Sequence, residues 1–205
     1  MTLLTESEAD QVTELIHKVE RDTDAELVVV LARQADDYFY IPTLWAALIA
    51  LVSPGLVMLL PYWLDVSDVL LIQLVVFIVI ALLLRIPLLM HWLIPSSVKR
   101  WRAENLARRM FLENNLHHTV DETGVLIFVS EAEHYVEIIA DRGINNCVQA
   151  HEWKAIVDDL TNAIRQGRRL EGFCGVVQSC GVLLKTHVPK TQEKNELPNH
   201  LIILD

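Results

Sequence analysis

The chain has 205 residues, 52% of them apolar, and a formal net charge of −10 at pH 7. That acidic balance argues against nucleic acid as a partner, despite a local basic run after residue 98. The three cysteines, Cys147, Cys174 and Cys180, have no zinc-ligand spacing and read as ordinary buried thiols.

The N-terminal stretch MTLLTESEAD is polar and acidic and does not read as a signal peptide. Thr5 and Glu8 fit a capping box, and Ala9, Val12, Leu15, Ile16 and Val19 follow at helical spacing. This predicts a helix to about Arg21. Asp22 to Asp24 is a turn. Residues 25–32, AELVVVLA, form a continuous apolar run rich in β-branched residues, the pattern of a strand buried on both faces.

Two long apolar runs come next. Ile41 to Trp63 carries no charge, and Ser67 to Leu84 carries only Asp68 at its edge. Each is about as long as the roughly 20 residues a helix needs to cross a bilayer. Only Leu64, Asp65 and Val66 separate them, which predicts an antiparallel transmembrane hairpin over 41–95. A buried helix pair in a soluble protein is the alternative, but such runs are rare in soluble domains. The link carries Asp65 and Asp68, while Arg85, Lys99, Arg100, Arg102, Arg108 and Arg109 follow the second run. The positive-inside rule then puts both termini and the soluble part in the cytoplasm, as for a bacterial inner-membrane protein. Tyr38, Tyr40, Trp45, Tyr62, Trp63, Trp92 and Trp101 read as interfacial aromatics. Trp45, Trp63, Trp92 and a snorkelling Arg85 are the expected membrane anchors. Pro54-Gly55 predicts a kink or a close helix contact.

After the hairpin, Ser96 or Ser97 can cap a helix running to about Asn114, with Ala103, Leu106, Ala107, Met110 and Phe111 on one face. Its basic first turn suits lipid headgroups. Asn114 to Thr123 reads as a polar loop. Gly124 to Ser130 and His134 to Ala140 read as two strands of an antiparallel hairpin. Glu152 to Gln166 is a helix with Gly167 as its C′ residue. Leu170 to Lys185 is apolar nearly all round but too short to span, so it reads as a core helix under the sheet. Its Gly172, Gly175 and Gly181 would allow close approach to that sheet. Pro189 to Asn199 is a solvated tail, and Leu201 to Leu204 is either an added edge strand or a packing tail.

Three stretches carry a family likeness: the first helix with TDAELVVVLA, then TGVLIFVSEAEHYVEIIADRGI, then IVDDLTNAIRQGRRLEGFCGVVQSCGVLL. Together they resemble the TPM domain, the family named for thylakoid, photosystem-repair and receptor-modulator proteins. The resemblance implies a three-layer α/β sandwich with a small mixed sheet. It would be one discontinuous domain over 1–40 and 96–188, interrupted by the hairpin at 41–95 and followed by a tail at 189–205. Members usually have only a loop where the hairpin stands. Some plant members are described as acid phosphatases, some bind calcium, and others are accessory proteins of membrane complexes. The family offers no agreed catalytic motif to carry over.

The residues themselves show no phosphate loop and no hydrolase signature. Glu26, Asp36, Asp37, Asp121, Glu122 and Asp141 are carboxylates that could meet at sheet ends. Asp121, Asp141 and Glu26 are the candidate ligands for calcium or magnesium. Such carboxylates are more often simply solvated. His117-His118, His134 and His151 read as surface residues, and His91 as interfacial. Asp158-Asp159 reads as a solvated helix side. Arg165, Arg168 and Arg169 form a basic knot that a helix end explains, with an anionic lipid or phosphate as the alternative. The expectation is a membrane-anchored accessory protein whose partners are the bilayer and another membrane protein. A homo-oligomer is left open, and a pore is disfavoured because the spans lack polar residues. The rival is a metal-dependent phosphatase.

Overall fold

The computed structural model describes residues 4–59, 65–86, 89, 93–191 and 201–204. Among the residues expected to anchor the chain, Trp63 and Trp92 lie outside these, as do Tyr62 and His91. The chain divides into two compact units, Met1–Ala35 with Arg100–Asp205, and Asp36–Lys99.

The first unit is a mixed α/β sandwich. Helix α1 (Glu6–Glu20) starts at the expected capping box: Glu8 N donates to Thr5 Oγ1 at 3.4 Å, and Thr5 N donates to Glu8 Oε2 at 2.7 Å. Strand β1 (Glu26–Ala32) follows. After the inserted segment come α4 (Ser96–Glu113), β2 (Gly124–Ser130), β3 (Tyr135–Ala140), a single-turn α5 (Arg142–Asn145), α6 (Ala150–Arg165), α7 (Arg169–His187) and β4 (Leu201–Leu204). The strand order is β3-β2-β1-β4. β1 pairs in parallel with both β2 and β4, and β2 with β3 is the expected antiparallel hairpin. β4 thus takes the edge-strand alternative, with Val29 opposite Leu201.

Every residue of β1 and β2 is buried, because helices cover both faces. On one face Leu27, Val29, Leu31, Val125, Ile127 and Val129 share a core with α1, α6 and α7. On the other, Val28, Val30, Leu126 and Phe128 pack on Ala103, Ala107, Met110 and Phe111 of α4. The two faces alternate residue by residue, as the strand's period of two requires. α7 is the predicted core helix and buries Phe173, Val176, Val177, Cys180 and Leu184.

Its glycines serve a different neighbour from the one expected. A Cβ on Gly172 would stand 2.9 Å from Ala163 Cβ on α6, and one on Gly181 would stand 2.6 Å from Val19 Cγ2 on α1. One on Gly175 would meet nothing within 4 Å. The close approaches are to flanking helices, since α7 lies in the helical layer with α1 and α6 beside it.

α6 ends at a Schellman motif: Gly167 has φ +76°, its N–H donates to Ile164 O at 3.0 Å, and Arg168 N–H donates to Ala163 O at 2.9 Å. The expected loop at 114–123 contains a 3-10 turn, Leu116–His118, whose Leu116 is fully buried beneath β2.

The second unit holds α2 (Tyr40–Val57) and α3 (Val66–Leu83), which pack on each other. Both are long and apolar enough to cross a membrane, judged by length and composition. None of the residues of α3 is buried. Pro54 sits inside α2 and cannot donate to Ala50 O. Ser53 Oγ donates to that carbonyl instead, at 2.8 Å, so this acceptor is not left open in an apolar helix. Trp45 and Arg85 are exposed. Tyr38 departs from the interfacial expectation: it is buried in a small cluster with Ile41 and Ile94.

Candidate functional site

The sheet has two ends, and each gathers polar side chains. At the first end β1 and β2 begin and β3 finishes. Glu26 opens β1 opposite Gly124, Asp121 precedes β2, and Asp141 follows β3. The backbone does bring these segments together. Glu26 N donates to Thr123 O at 3.3 Å, Asp141 N to Gly124 O at 2.8 Å, and Gly143 N to Glu122 O at 3.0 Å. Gly143 is needed for that last contact, because a Cβ there would stand 2.5 Å from Asp121 O.

The side chains do not follow, and the expected metal trio of Asp121, Asp141 and Glu26 is not assembled. Among the described residues no group of three or more His, Cys, Asp or Glu is placed to hold a metal ion. The reasons are local. Glu26 is buried, 5% exposed, in the first position of a strand covered on both faces. Asp121 is exposed on its turn. Asp141 is the N-cap of α5, and its Oδ1 accepts from Arg142 N at 2.7 Å. Its Oδ2 is buried and has no hydrogen-bond partner among the described residues.

Glu26 instead bears on Glu20. The Glu20 carboxylate accepts from Leu27 N at 3.0 Å. Burial pushes its pKa up to about 8; the Leu27 N–H opposes this, and the neighbouring Glu26 charge adds to it.

At the opposite end, where parallel strands β1 and β2 finish, lies a pocket of about 470 Å³. The carboxyl ends of parallel strands are where open α/β sheets form ligand crevices. Val129 and Ser130 end β2, and Glu131, His134, Tyr135 and Val136 come from the turn and β3. Thr161, Ile164 and Arg165 come from the last turns of α6, and Arg169 opens α7. Arg169 donates to Glu131 at 3.0 Å across this pocket, with both side chains about a third exposed. Ser130 Oγ donates to Glu133. His134 holds φ +53° at the tight turn.

The basic knot expected at 165–169 is split by the fold. Arg168 turns away and is occupied by Gln166 and Glu171. Arg165 and Arg169 line the pocket. Sequence reasoning had these arginines but missed Ser130, Glu131, His134 and Thr161 as their neighbours. The signal was Ser130 at the end of a buried strand, combined with arginines on both sides of the Gly167 break. His117, His118 and His151 are exposed, as are Asp158 and Asp159.

The TPM domain family model matches residues 92–182. Among solved structures, the chain is similar to the NMR structure of the BA42 protein from the psychrophilic bacterium Bizionia argentinensis. The TM-score is 0.60 and the identity 18%, over 98% of this chain and 94% of that one. At that identity the likeness speaks for the fold alone. No curated protein matches the chain. The family match over α4, β2, β3 and the helices around them, together with a shared fold, supports one conclusion: residues 92–182 are similar to a TPM domain.

Proposed function

We propose that the protein is an integral membrane protein anchored by α2 and α3, whose TPM domain acts as a non-catalytic interaction module for a membrane complex. One observation carries this reading: α3 is apolar throughout and buries none of its residues against the protein. Leu70, Leu71 and Leu74 are each more than half exposed, a surface water would not tolerate and a bilayer would cover. Arg85, Lys99, Arg100 and Arg102 lie beyond α3, and Asp65 and Asp68 sit at its start. That asymmetry favours a cytoplasmic domain. Trp101, 56% exposed, stacks under the Arg102 guanidinium at 4.9 Å, a pairing suited to a headgroup region.

The test is co-purification from membranes in mild detergent, comparing the full chain with one lacking 41–95. A stoichiometric membrane-protein partner recovered with the full chain supports the module. A full chain that purifies alone, at any detergent strength, contradicts it. Sidedness is read at Cys147, which is exposed, against the expectation of a buried thiol. An impermeant thiol reagent should reach it only after the membrane is opened.

A second reading, a phosphatase using calcium or magnesium, has one specific observation in its favour. The buried Oδ2 of Asp141 lacks a partner, and a hard cation would supply one. On that reading calcium raises the melting temperature of the full chain, and Asp141→Asn abolishes the rise. A melting temperature indifferent to calcium and magnesium removes the reading.

A further inference from the structure

The pocket at the carboxyl end of β1 and β2 has a composition that neither the interaction module nor the metal reading uses. Two arginines, Arg165 and Arg169, line it from the end of one helix and the start of the next. Arg169 is the first residue of α7, so the positive end of that helix lies at the same rim. Glu131 neutralises one of the two charges through its 3.0 Å contact with Arg169. The Glu8 carboxylate also feels Arg169 and is held below its ordinary value, first by the Thr5 hydrogen bonds. Arg165 has no hydrogen bond or ion pair within the described structure. An arginine at a pocket with its guanidinium donors unused is suited to recognise a planar or tetrahedral oxyanion. Thr161 and His134 add polar groups beside it. Val129, Val136 and Ile164 add apolar wall, beside Ser130 and Tyr135. The volume of about 470 Å³ is far larger than a bare inorganic ion and falls in the range of small-molecule sites.

We propose that this pocket binds a small organic anion, a phosphoryl or carboxylate head attached to an apolar body. Arg165 is the principal contact for the head, Arg169 is held in place for it by Glu131, and Val129, Val136 and Ile164 receive the body. Helix-end compensation accounts for an arginine near residue 165. It does not account for two arginines lining one cavity while Arg168 between them is paired away with Gln166 and Glu171.

The test uses the detergent-solubilised full chain, titrated calorimetrically with phenyl phosphate, benzoate and inorganic phosphate. Phenyl phosphate or benzoate is expected to bind more tightly than inorganic phosphate, and the better of the two identifies the head group. Arg165→Gln should weaken that binding by about tenfold or more, the usual loss for a charge-assisted contact. Arg168→Gln should leave it unchanged. Arg165 is exposed and makes no internal bond, so its substitution should not disturb folding, and an unchanged melting temperature verifies that. The proposal is overturned if none of the three probes binds at millimolar concentration. It is equally overturned if Arg165→Gln binds as the parent does, or if Arg168→Gln loses as much as Arg165→Gln.

Discussion

Helices α7 and α3 are of nearly equal length, 19 and 18 residues, and both are rich in aliphatic side chains. Their fates differ. α7 buries Phe173, Val176, Val177, Cys180 and Leu184 against the sheet and two flanking helices. α3 buries nothing. The composition explains the difference once polar residues and glycines are counted. α7 keeps Arg169, Glu171, Gln178, Ser179 and Lys185 for a wet side, and its glycines let neighbours close in. Past Asp68, α3 offers no wet side except Gln73. An apolar helix with a polar edge finds its cover within the protein. One without an edge needs an apolar solvent.

Mutations can break that comparison where it is strongest. Phe173 is fully buried, so Phe173→Ala should cost the domain about 3–5 kcal/mol in a denaturant melt of the solubilised chain. Leu74→Ala, at 55% exposure on α3, should stay within about 0.5 kcal/mol in the same melt. Equal losses would mean that α3 is a core element after all.

Charge reads the same interior from another side. Glu20 has its folded pKa raised from 4.5 to about 8. The folded state therefore holds a proton that the unfolded state releases, and stability falls as pH rises from 4.5 through 8. Glu20→Gln keeps an acceptor for Leu27 N–H without the charge. It should flatten that slope and raise stability at pH 8 by roughly 2 kcal/mol. A variant with the parent's pH slope would show that Glu20 is solvated.

The smallest effects sharpen the picture of α7 itself, face by face. Gly181→Ala would put a Cβ 2.6 Å from a branched methyl of Val19, which is stiff, and should destabilise by about 1–3 kcal/mol. Gly175→Ala meets nothing within 4 Å and should stabilise by about 0.5–1 kcal/mol. A stabilising Gly181→Ala would show that α1 and α7 are not in contact as described.

Local features were legible in the sequence because they are written within a few residues. The Thr5–Glu8 capping box, the Gly167 helix stop and the fully buried β1 and β2 all rest on short-range periodicity or a single conformational demand. What could not be read is what long-range packing decides. Nothing local says that β4 pairs with β1, or that the neighbour of Gly181 is Val19. Asp141 looked like a ligand because a carboxylate after a strand has many uses. The fold spends one of its oxygens on a helix cap. The pocket was hidden for the same reason: Ser130 and Arg165 are 35 positions apart in the chain and meet only through the packing of α6 beside β3.

The central claim is that α2 and α3 lie in a bilayer, and alkaline carbonate extraction of membranes carrying the full chain tests it most directly. The account predicts that the protein stays in the pellet after the carbonate wash and moves to the supernatant in mild detergent. Release by carbonate alone would contradict it, and would place the apolar surface of α3 against protein.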